Sequence, residues 1–374
     1  MRESVDSRQR RILDLLDQHG EVKVAHLAAL LNVSMVTVRR DLEALSRAGA
    51  VQRRHGMVAR ADEPEVGSPP EKGAQGTVAV IAPEQHSYLN EVTRGARDFL
   101  EHAGYRVVLH LTPNTASAEH HILEQISAET TDGLLLSPRW RSREQETATD
   151  GALTSLELPT VLLERRPSGG NHLQRVDSVR SDHRHGVDLA VDHLVKAGHR
   201  RILLAARQDS PTARTVNASF AEAMGSHPHV EHWMSVLSAP DAVPAHSKGL
   251  PPALGPGGPE EHPDLSNSNW LPELLADQGF TAVLIHSDEN ALVLSQRLAL
   301  AGVKVPDDCA LIAYDDVVAG LGPVPLTAVS PPKEEVGRAA AQLLSQRIRA
   351  EREGHRWTPR RIELLPSLEI RSST

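Results

Sequence analysis

The chain has 374 residues, of which 40% are hydrophobic and 24% charged, with a formal net charge of −9 at pH 7. This length exceeds one ordinary domain core and predicts two or three domains, while the single cysteine, Cys309, excludes an intrachain disulfide and a cysteine-based zinc site. Because no apolar run is long enough to span a bilayer and the first residues lack the apolar core of a signal peptide, we expect a cytoplasmic protein without a membrane partner.

Positive charge is concentrated at the N-terminus. Residues 1–60 hold 11 lysines and arginines against 7 acidic residues, whereas the rest of the chain holds 29 against 42. Nucleic-acid affinity depends on the charge that meets the phosphates. The basic N-terminal unit is therefore suited to DNA even though the whole chain is acidic.

Three amphipathic helices are predicted in this basic unit. The first spans about residues 7–18 and the second residues 24–31. A short turn at residues 32–33 and a predicted N-cap, Ser34, lead into the third helix. Two helices joined by so tight a turn are typical of a helix-turn-helix, whose second helix enters the major groove. The predicted core face of this recognition helix carries Val38, Leu42 and Leu45.

The opposite face and the segment after it carry side chains that suit DNA. Arginine can pair with guanine, threonine can bind a phosphate and valine can contact the thymine methyl group. Two short extended runs flank His55-Gly56 and predict a β-hairpin wing with basic residues at its tip. A solvated helix face is the alternative interpretation. The candidate DNA contacts from this chemistry are Val36, Thr37, Arg39, Arg40, Arg53 and Arg54.

The stretch from Arg10 to Val58 resembles the winged helix of DeoR-type bacterial regulators. The strongest match runs V-S-x-x-T-[IV]-R-R-D-L from Val33 to Leu42, followed by R-x-H-G ending at Gly56. Met57 stands where family members often carry a second glycine. The resemblance implies that the DNA contacts include Ser34, Thr37, Arg39, Arg40 and the wing residues Arg54 and His55.

After a linker rich in proline, glycine and glutamate at residues 61–76, apolar strands alternate with amphipathic helices. This alternation predicts buried parallel sheets with helices on both faces, and a ligand cleft where the strand ends of two lobes meet. The predicted strands are 77–82, 106–111, 133–137, 158–163, 202–206, 282–286, 310–314 and 361–370, and the predicted helices are 88–102, 116–127, 186–197, 289–301 and 333–349.

This region resembles the effector-binding part of the LacI/GalR family, which is built like the periplasmic sugar-binding proteins. The matching stretches are 158–165, 179–182, 193–202, 280–288, 302–315, 325–329 and 335–340. The resemblance implies a type I periplasmic-binding-protein-like fold of two doubly wound α/β lobes behind a small α/β winged-helix domain. The hinge helix of direct relatives is not expected, because Pro64, Pro69 and Pro70 oppose it.

These patterns divide the chain into three segments. We expect the winged helix at residues 1–60, the linker at 61–76 and the effector-binding domain at 77–374. Lobe one is expected at about 77–165 plus helix 333–351, and lobe two at about 168–328 plus 360–371.

Five residues are candidate effector contacts. Sugars are bound by planar charged groups that pair with neighbouring hydroxyls and by aromatic faces against the ring. Tyr88, Arg165 and Asp288 have this chemistry near strand ends, and Asp288 corresponds to a ligand-contacting aspartate of the family. Isolated residues of these types are also common as helix caps or ion-pair partners. Where the family has an arginine this chain has Val216, and the candidates to replace it are Arg214 and Asn217.

Residues 225–269 are rich in proline, glycine and histidine. The histidine spacing is irregular and lacks cysteine partners, which favours a solvated loop over a metal site. No catalytic or nucleotide-binding motif of the usual kinds occurs, so we expect no catalytic residue, cofactor or metal. The histidines concerned are His227, His229, His232, His246 and His262.

Together these patterns predict a ligand-responsive transcriptional regulator. We expect a homodimeric repressor that binds a palindromic or repeated operator and whose DNA binding changes with a sugar or related metabolite. An activator and a cytoplasmic sugar-binding or transport-type protein are the open alternatives. An enzyme is opposed by the lack of a catalytic pair.

Overall fold

A computed structural model of the protein forms two compact units, Met1–Pro69 and Pro70–Thr374. Predicted boundaries at residues 60 and 77 are finer than this division and stay predictions. The structure describes residues 8, 11–13, 15–16, 22–31, 33, 35–47, 51–54, 57–60, 75–84, 87–113, 118–128, 131–141, 143–156, 158–167, 172–238 and 270–374. Within these ranges no helix is both long and apolar enough to cross a bilayer.

The N-terminal unit contains the predicted pair of helices. Helix α1 spans Val24–Leu31 and α2 spans Met35–Arg47, and the described residues between 8 and 16 are also helical. The turn between α1 and α2 is closed by a hydrogen bond of 3.1 Å from the Val33 N–H to the Ala28 carbonyl. The predicted core face of α2 is confirmed, since it is buried in a cluster that includes Ile12, Leu16, Leu27, Val38, Leu42, Leu45 and Val58.

A three-stranded antiparallel sheet completes this unit. Strands β1 (Val22–Lys23), β2 (Val51–Arg54) and β3 (Met57–Arg60) lie in the order β1-β3-β2. Arg54 pairs with Met57, which confirms the predicted hairpin. The two-residue strand β1 was not predicted, because so short a segment carries no periodicity.

The second unit has two lobes, each built on a six-stranded sheet. In lobe one the order is β14-β8-β7-β6-β4-β5 and every neighbouring pair is parallel. In lobe two the order is β10-β9-β11-β12-β13-β15, and only β15 is antiparallel. The bounds are β4 Gly76–Pro83, β5 Tyr105–Thr112, β6 Gly133–Leu136, β7 Thr160–Leu163, β8 Asp177–Ser181, β9 Arg201–Ala206, β10 His232–Leu237, β11 Ala282–Ile285, β12 Ala310–Tyr314, β13 Thr327–Ser330, β14 Arg361–Leu364 and β15 Ser367–Glu369.

Helices cover both faces of each sheet, as expected for buried parallel strands. Separate apolar clusters lie on the two faces of each lobe. This arrangement confirms the predicted fold of two doubly wound α/β lobes. The helix bounds are α3 Ser87–His102, α4 Ala118–Ala128, α5 Arg143–Leu156, α6 His183–Lys196, α7 Pro211–Ser226, α8 Trp270–Gln278, α9 Asp288–Leu300 and α10 Lys333–Arg352.

Two segments belong to a different lobe than predicted. Strand β8 pairs with β7, and β14 pairs with β8, so both extend the sheet of lobe one rather than lobe two. The single extended segment predicted at residues 361–370 is in fact two strands that enter different sheets. Local sequence patterns do not specify which distant strand a segment pairs with, and that pairing decides the lobe. The chain therefore crosses between the lobes after β8, after β13 and after β14.

The solvated loop predicted at residues 225–269 agrees with the turn at residues 227–231, which contains His227 and His229, but is wrong for the strand that follows. Residues 232–237 form β10, which pairs in parallel with β9. His232 is half-buried and stacks on Phe280 with ring centroids 5.0 Å apart. The histidines and polar residues before the apolar part of this strand favoured a loop, so the strand was not predicted. Residues 239–269, with His246 and His262, lie outside the described residues.

Candidate functional site: a polar cleft between two lobes

The carboxyl ends of strands from both lobes line one cleft. Its volume is about 230 Å³. Lobe one contributes residues that follow β4, β6 and β7, and lobe two contributes residues that follow β9, β11 and β12. Of the five predicted effector contacts, the structure brings three to this cleft, namely Tyr88, Arg165 and Asp288.

Tyr88 lines the cleft and is held there by its hydroxyl. The side chain is 6% exposed, and its hydroxyl donates to Glu164 Oε1 at 2.6 Å. Ser181 Oγ lies 3.0 Å from the same hydroxyl. Burial and the charge of Glu164 raise the pKa of Tyr88 well above its ordinary value. The hydroxyl of Tyr88 is thus held by Glu164 and Ser181, and the Lys333 ammonium lies 5.9 Å from the centroid of the Tyr88 ring.

Glu164 is the centre of a buried hydrogen-bond network. Besides Tyr88, its carboxylate accepts the Ser181 hydroxyl at 2.8 Å and the Ser181 N–H at 3.1 Å, and it lies 3.4 Å from His183 Nε2. Burial alone would raise its pKa, but the hydrogen bond and charge of His183 and the other donors lower the pKa of Glu164 to about 2. The carboxylate is thus ionised and fully engaged. His183 and Ser181 were not identified from the sequence, although Ser181 lies in the matching stretch 179–182; the sequence offers no local signal for His183.

Arg165 is held at the cleft by backbone carbonyls. Its Nε donates to the Pro138 carbonyl, and Nη1 donates to the Glu164 carbonyl at 2.8 Å. The side chain is 5% exposed, and burial lowers the pKa of Arg165 to about 10. The guanidinium is fixed in position, as a donor that must pair with ligand hydroxyls requires.

Asp288 begins α9 and faces the cleft. Its Oδ2 accepts the N–H groups of Val317 and Val318, each at 2.6 Å, and so fixes the turn after β12. Burial is the largest cause of the raised pKa of Asp288. A charged acceptor in this place suits a donor from a ligand.

Asp315 is a second buried carboxyl in the cleft. It follows β12 directly, with φ +97°, and its carbonyl accepts a hydrogen bond of 2.6 Å from Lys333 Nζ. Burial, and then the charge of Asp288, raise the pKa of Asp315 to about 8. Asp315 lies in the matching stretch 302–315 but was not among the predicted effector contacts. A polar residue directly after a buried strand was the signal that could have identified it.

Two predicted effector contacts do not line this cleft. Arg214 donates to the Trp140 carbonyl at 2.9 Å and so links the lobes. Asn217 donates to the Arg207 carbonyl at 3.2 Å and to the carbonyl one turn before it in α7. Val216 is buried in the core of lobe two. The orientation of α7 about its own axis turns Val216 into the core and explains these positions. Of the described residues of α7, those at its start, such as Thr212, line the cleft.

Part of the predicted DNA-binding surface lies in the described residues of the N-terminal unit. On α2, Arg40 is exposed and Thr37 is half-exposed. Asp41 is buried and accepts two hydrogen bonds from Arg8, at 2.5 and 3.0 Å, which ties the first helical segment to α2. The backbone of Val36 and Arg39 lies in α2 and that of Arg53 and Arg54 in β2. Ser34 and His55 lie outside the described residues.

Three family models match consecutive parts of the chain. The DeoR-like helix-turn-helix domain matches residues 8–63. The model of periplasmic binding proteins and the sugar-binding domain of the LacI family matches residues 74–239. A periplasmic binding protein-like domain matches residues 191–374. The last two overlap and together run through both lobes.

Two transcriptional repressors align with most of the chain. The arabinose metabolism transcriptional repressor of Geobacillus stearothermophilus is 26% identical over 337 residues, which cover 86% of this chain and 83% of the repressor. The HTH-type transcriptional repressor PurR of Haemophilus influenzae is 26% identical over 296 residues, covering 79% of this chain and 80% of PurR.

Solved structures share the fold. A LacI-family regulator of Enterococcus faecium with bound ribose has a TM-score of 0.59 at 21% identity and covers 80% of this chain and 98% of its own. The regulator CelR in complex with cellobiose has a TM-score of 0.63 at 23% identity, covering 91% of this chain and 92% of its own. The chain therefore consists of a DeoR-like helix-turn-helix domain followed by a LacI-type periplasmic-binding-protein-like domain.

Proposed function

We propose that this protein is a sequence-specific transcriptional regulator, a repressor of carbohydrate-metabolism genes, whose operator binding is modulated by a sugar or related metabolite. One observation carries the proposal: a single chain joins a DeoR-like helix-turn-helix to a two-lobed cleft lined by fixed polar groups. The named relatives are transcriptional repressors, which supports the same conclusion. Such a protein acts in the cytoplasm, where the DNA is.

The DNA-binding surface is assigned to α2 and the wing. The apolar side of α2 is buried in its own domain, so its exposed side, with Arg40, is the one that can enter a major groove. We assign the base and backbone contacts of this surface to Ser34, Val36, Thr37, Arg39, Arg40, Arg53, Arg54 and His55.

The effector site is assigned to the cleft. The guanidinium of Arg165 and the carboxyl groups of Asp288 and Asp315 come from different strands and offer donors and acceptors to the hydroxyl groups of one ring. The ring of Tyr88 supplies an apolar face for the C–H side of that ring. Closed-lobe and open-lobe states would then differ in how well they bind the ligand, which is what a ligand-dependent switch requires.

A homodimer is part of the proposal. Helix α9 exposes Val293 and Leu300, which are 49% and 90% exposed and lie two turns apart, and nearby Leu321 is 77% exposed. Apolar side chains on one face favour contact with an identical surface. Two helix-turn-helix units related by a twofold axis would read a palindromic operator.

The test is a ligand screen by titration calorimetry followed by DNA-binding assays. We expect one or a few sugars to bind at one cleft per chain and to change the affinity for DNA from the region upstream of the protein's own gene. A screen that finds only non-carbohydrate ligands would refute the sugar assignment. A protein that binds sugar but no specific DNA would refute the regulator.

A further inference from the structure

A second cavity lies inside lobe one, beside the cleft. Its volume is about 190 Å³, and it is enclosed by α4, α5 and the segments that follow β5 and β6. None of the predicted effector contacts lines it. The cavity therefore needs an explanation of its own.

The wall of this cavity combines an apolar surface with a carboxylate. Leu123, Ala148 and the almost fully buried Trp140 supply the apolar part. Glu119 Oε1 accepts the Thr149 hydroxyl at 2.8 Å, and Oε2 accepts a backbone N–H at 3.2 Å. Each carboxylate oxygen keeps capacity for a further donor. A ring with one apolar face and a hydroxyl edge fits such a wall.

Trp140 lines the same wall with packed apolar surface. Its side chain is 2% exposed and its Nε1–H is buried, so the indole contributes shape to the cavity and not a hydrogen-bond donor.

The second cavity adjoins the cleft. Arg139 and Arg141 line both, and Trp140 lies between these two residues in the chain. Pockets that hold a whole ligand usually measure about 300–1,000 Å³. The cleft, at about 230 Å³, and the second cavity, at about 190 Å³, each fall below that range, and the two together reach it.

We propose that the second cavity is a subsite for the second ring of a disaccharide or glycoside whose first ring occupies the cleft. The inference rests on the proposed function, since it requires a sugar in the cleft. The proposal also predicts that a ligand with two rings affects the contact between the lobes. Arg214 of lobe two donates to the Trp140 carbonyl at 2.9 Å, and Asp209 lies 3.9 Å from Arg141, so a second ring would contact the segment that lobe two holds.

The test is titration calorimetry of the full chain with paired sugars. The probes are glucose, galactose, xylose and arabinose, each beside a disaccharide that carries it at the non-reducing end: cellobiose, lactose, xylobiose and arabinobiose. We expect one disaccharide to bind at least tenfold more tightly than its monosaccharide. If sugars bind but no disaccharide binds at least tenfold more tightly than its monosaccharide, the subsite is overturned and the proposed function stands. Binding of no sugar overturns both.

Three variants locate the effect. Ala148→Phe places a ring into the cavity from an exposed position, and Glu119→Gln removes the carboxylate without changing its size. Both should abolish the tenfold advantage of the disaccharide and change the monosaccharide affinity less than twofold. Thr147→Phe, on the neighbouring exposed position outside the cavity, is the matched control and should change neither. Unchanged disaccharide binding by both Ala148→Phe and Glu119→Gln contradicts the subsite.

Discussion

Glu164 Oε2 and His183 Nε2 lie 3.4 Å apart across the boundary between the lobes. Glu164 follows a strand of lobe one, His183 is the first residue of a helix of lobe two, and both side chains are at most 3% exposed. The same carboxylate accepts the hydroxyl of Tyr88 at 2.6 Å. The contacts from Tyr88 to Glu164 and from Glu164 to His183 thus link Tyr88 to the point after β8 where the chain crosses between the lobes. A ligand that contacts Tyr88 can act on that point through these two contacts.

The first prediction concerns this network. Glu164→Gln should lower the free energy of unfolding by about 1–3 kcal/mol, because it removes a charged acceptor and leaves buried donors unsatisfied. Urea denaturation near pH 7 measures the loss. The control is Glu363→Gln, which removes the partly exposed partner of Arg180 and should cost at most about 1 kcal/mol. Equal losses in the two variants would contradict the central role of Glu164.

The same residue predicts a loss of stability in acid. The pKa of Glu164 is about 2 in the folded protein against an ordinary 4.5. A lowered pKa means that the folded state favours the ionised form, so this contribution is complete above the ordinary value and is lost as the pH falls toward 2. Glu164→Gln should show a shallower decline than the wild type in this window. Parallel declines would show that Glu164 is not the group responsible.

For Asp315 we predict the opposite dependence of stability on pH. Its pKa is raised to about 8, so the folded protein holds a proton that the unfolded chain releases near its ordinary value of 3.8. The resulting contribution is complete below the ordinary value and is lost as the pH rises through 8. Asp315→Asn stays neutral at every pH, so its stability relative to the wild type should increase steadily between these two values. Denaturation curves at several pH values test this, and a constant difference would contradict the raised pKa.

Arg40 is predicted to determine DNA affinity. Arg40→Ala should weaken specific binding about tenfold or more, because a paired contact to a base contributes about 1–3 kcal/mol. Fluorescence anisotropy with labelled operator DNA measures the change. Lys23→Ala, which removes an exposed cation elsewhere in the same unit, should cause a smaller loss that is similar for all DNA sequences. An Arg40→Ala protein with wild-type operator affinity would exclude α2 from the groove.

Because α10 packs closely on α3, we predict that replacing the glycine at their contact lowers the stability of the protein. A Cβ atom at Gly337 would collide with the backbone of Val92 and Ala96 in α3. Gly337→Ala should therefore destabilise the protein by about 1–3 kcal/mol, measured as a lower denaturation midpoint. Gly225→Ala, in α7, places a Cβ where no atom lies within 4 Å and should not destabilise the protein. Equal midpoints for both variants would contradict the helix contact.

Strand ends were the part of the site that the sequence could predict. In a parallel sheet, polar residues after buried strands meet at one edge, and this rule placed Tyr88, Arg165 and Asp288 on the cleft. The same rule applies to Asp315, which follows the buried run from Ala310 to Tyr314. The rule thus extends to a residue that was overlooked.

Contacts between distant segments could not be predicted. Arg214 and Asn217 were chosen because they lie close to Val216 in the sequence, but the rotation of α7 is set by packing that buries Val216 in the core of lobe two. His183 reaches Glu164 only because the chain crosses between lobes after β8. The pairing of β8 with β7 is likewise a contact between segments with no local signal.

Ligand-dependent operator binding is the direct test of a regulator with a sugar-sensing cleft. Labelled operator DNA is titrated with the full chain, with and without the sugar that calorimetry identifies as the tightest. We expect the sugar to change the DNA affinity of the wild type at least fivefold, since couplings of about 1–3 kcal/mol are typical. Asp288→Asn should bind DNA like the wild type without sugar and should not respond to it. An operator affinity that the bound sugar leaves unchanged in the wild type would contradict the account.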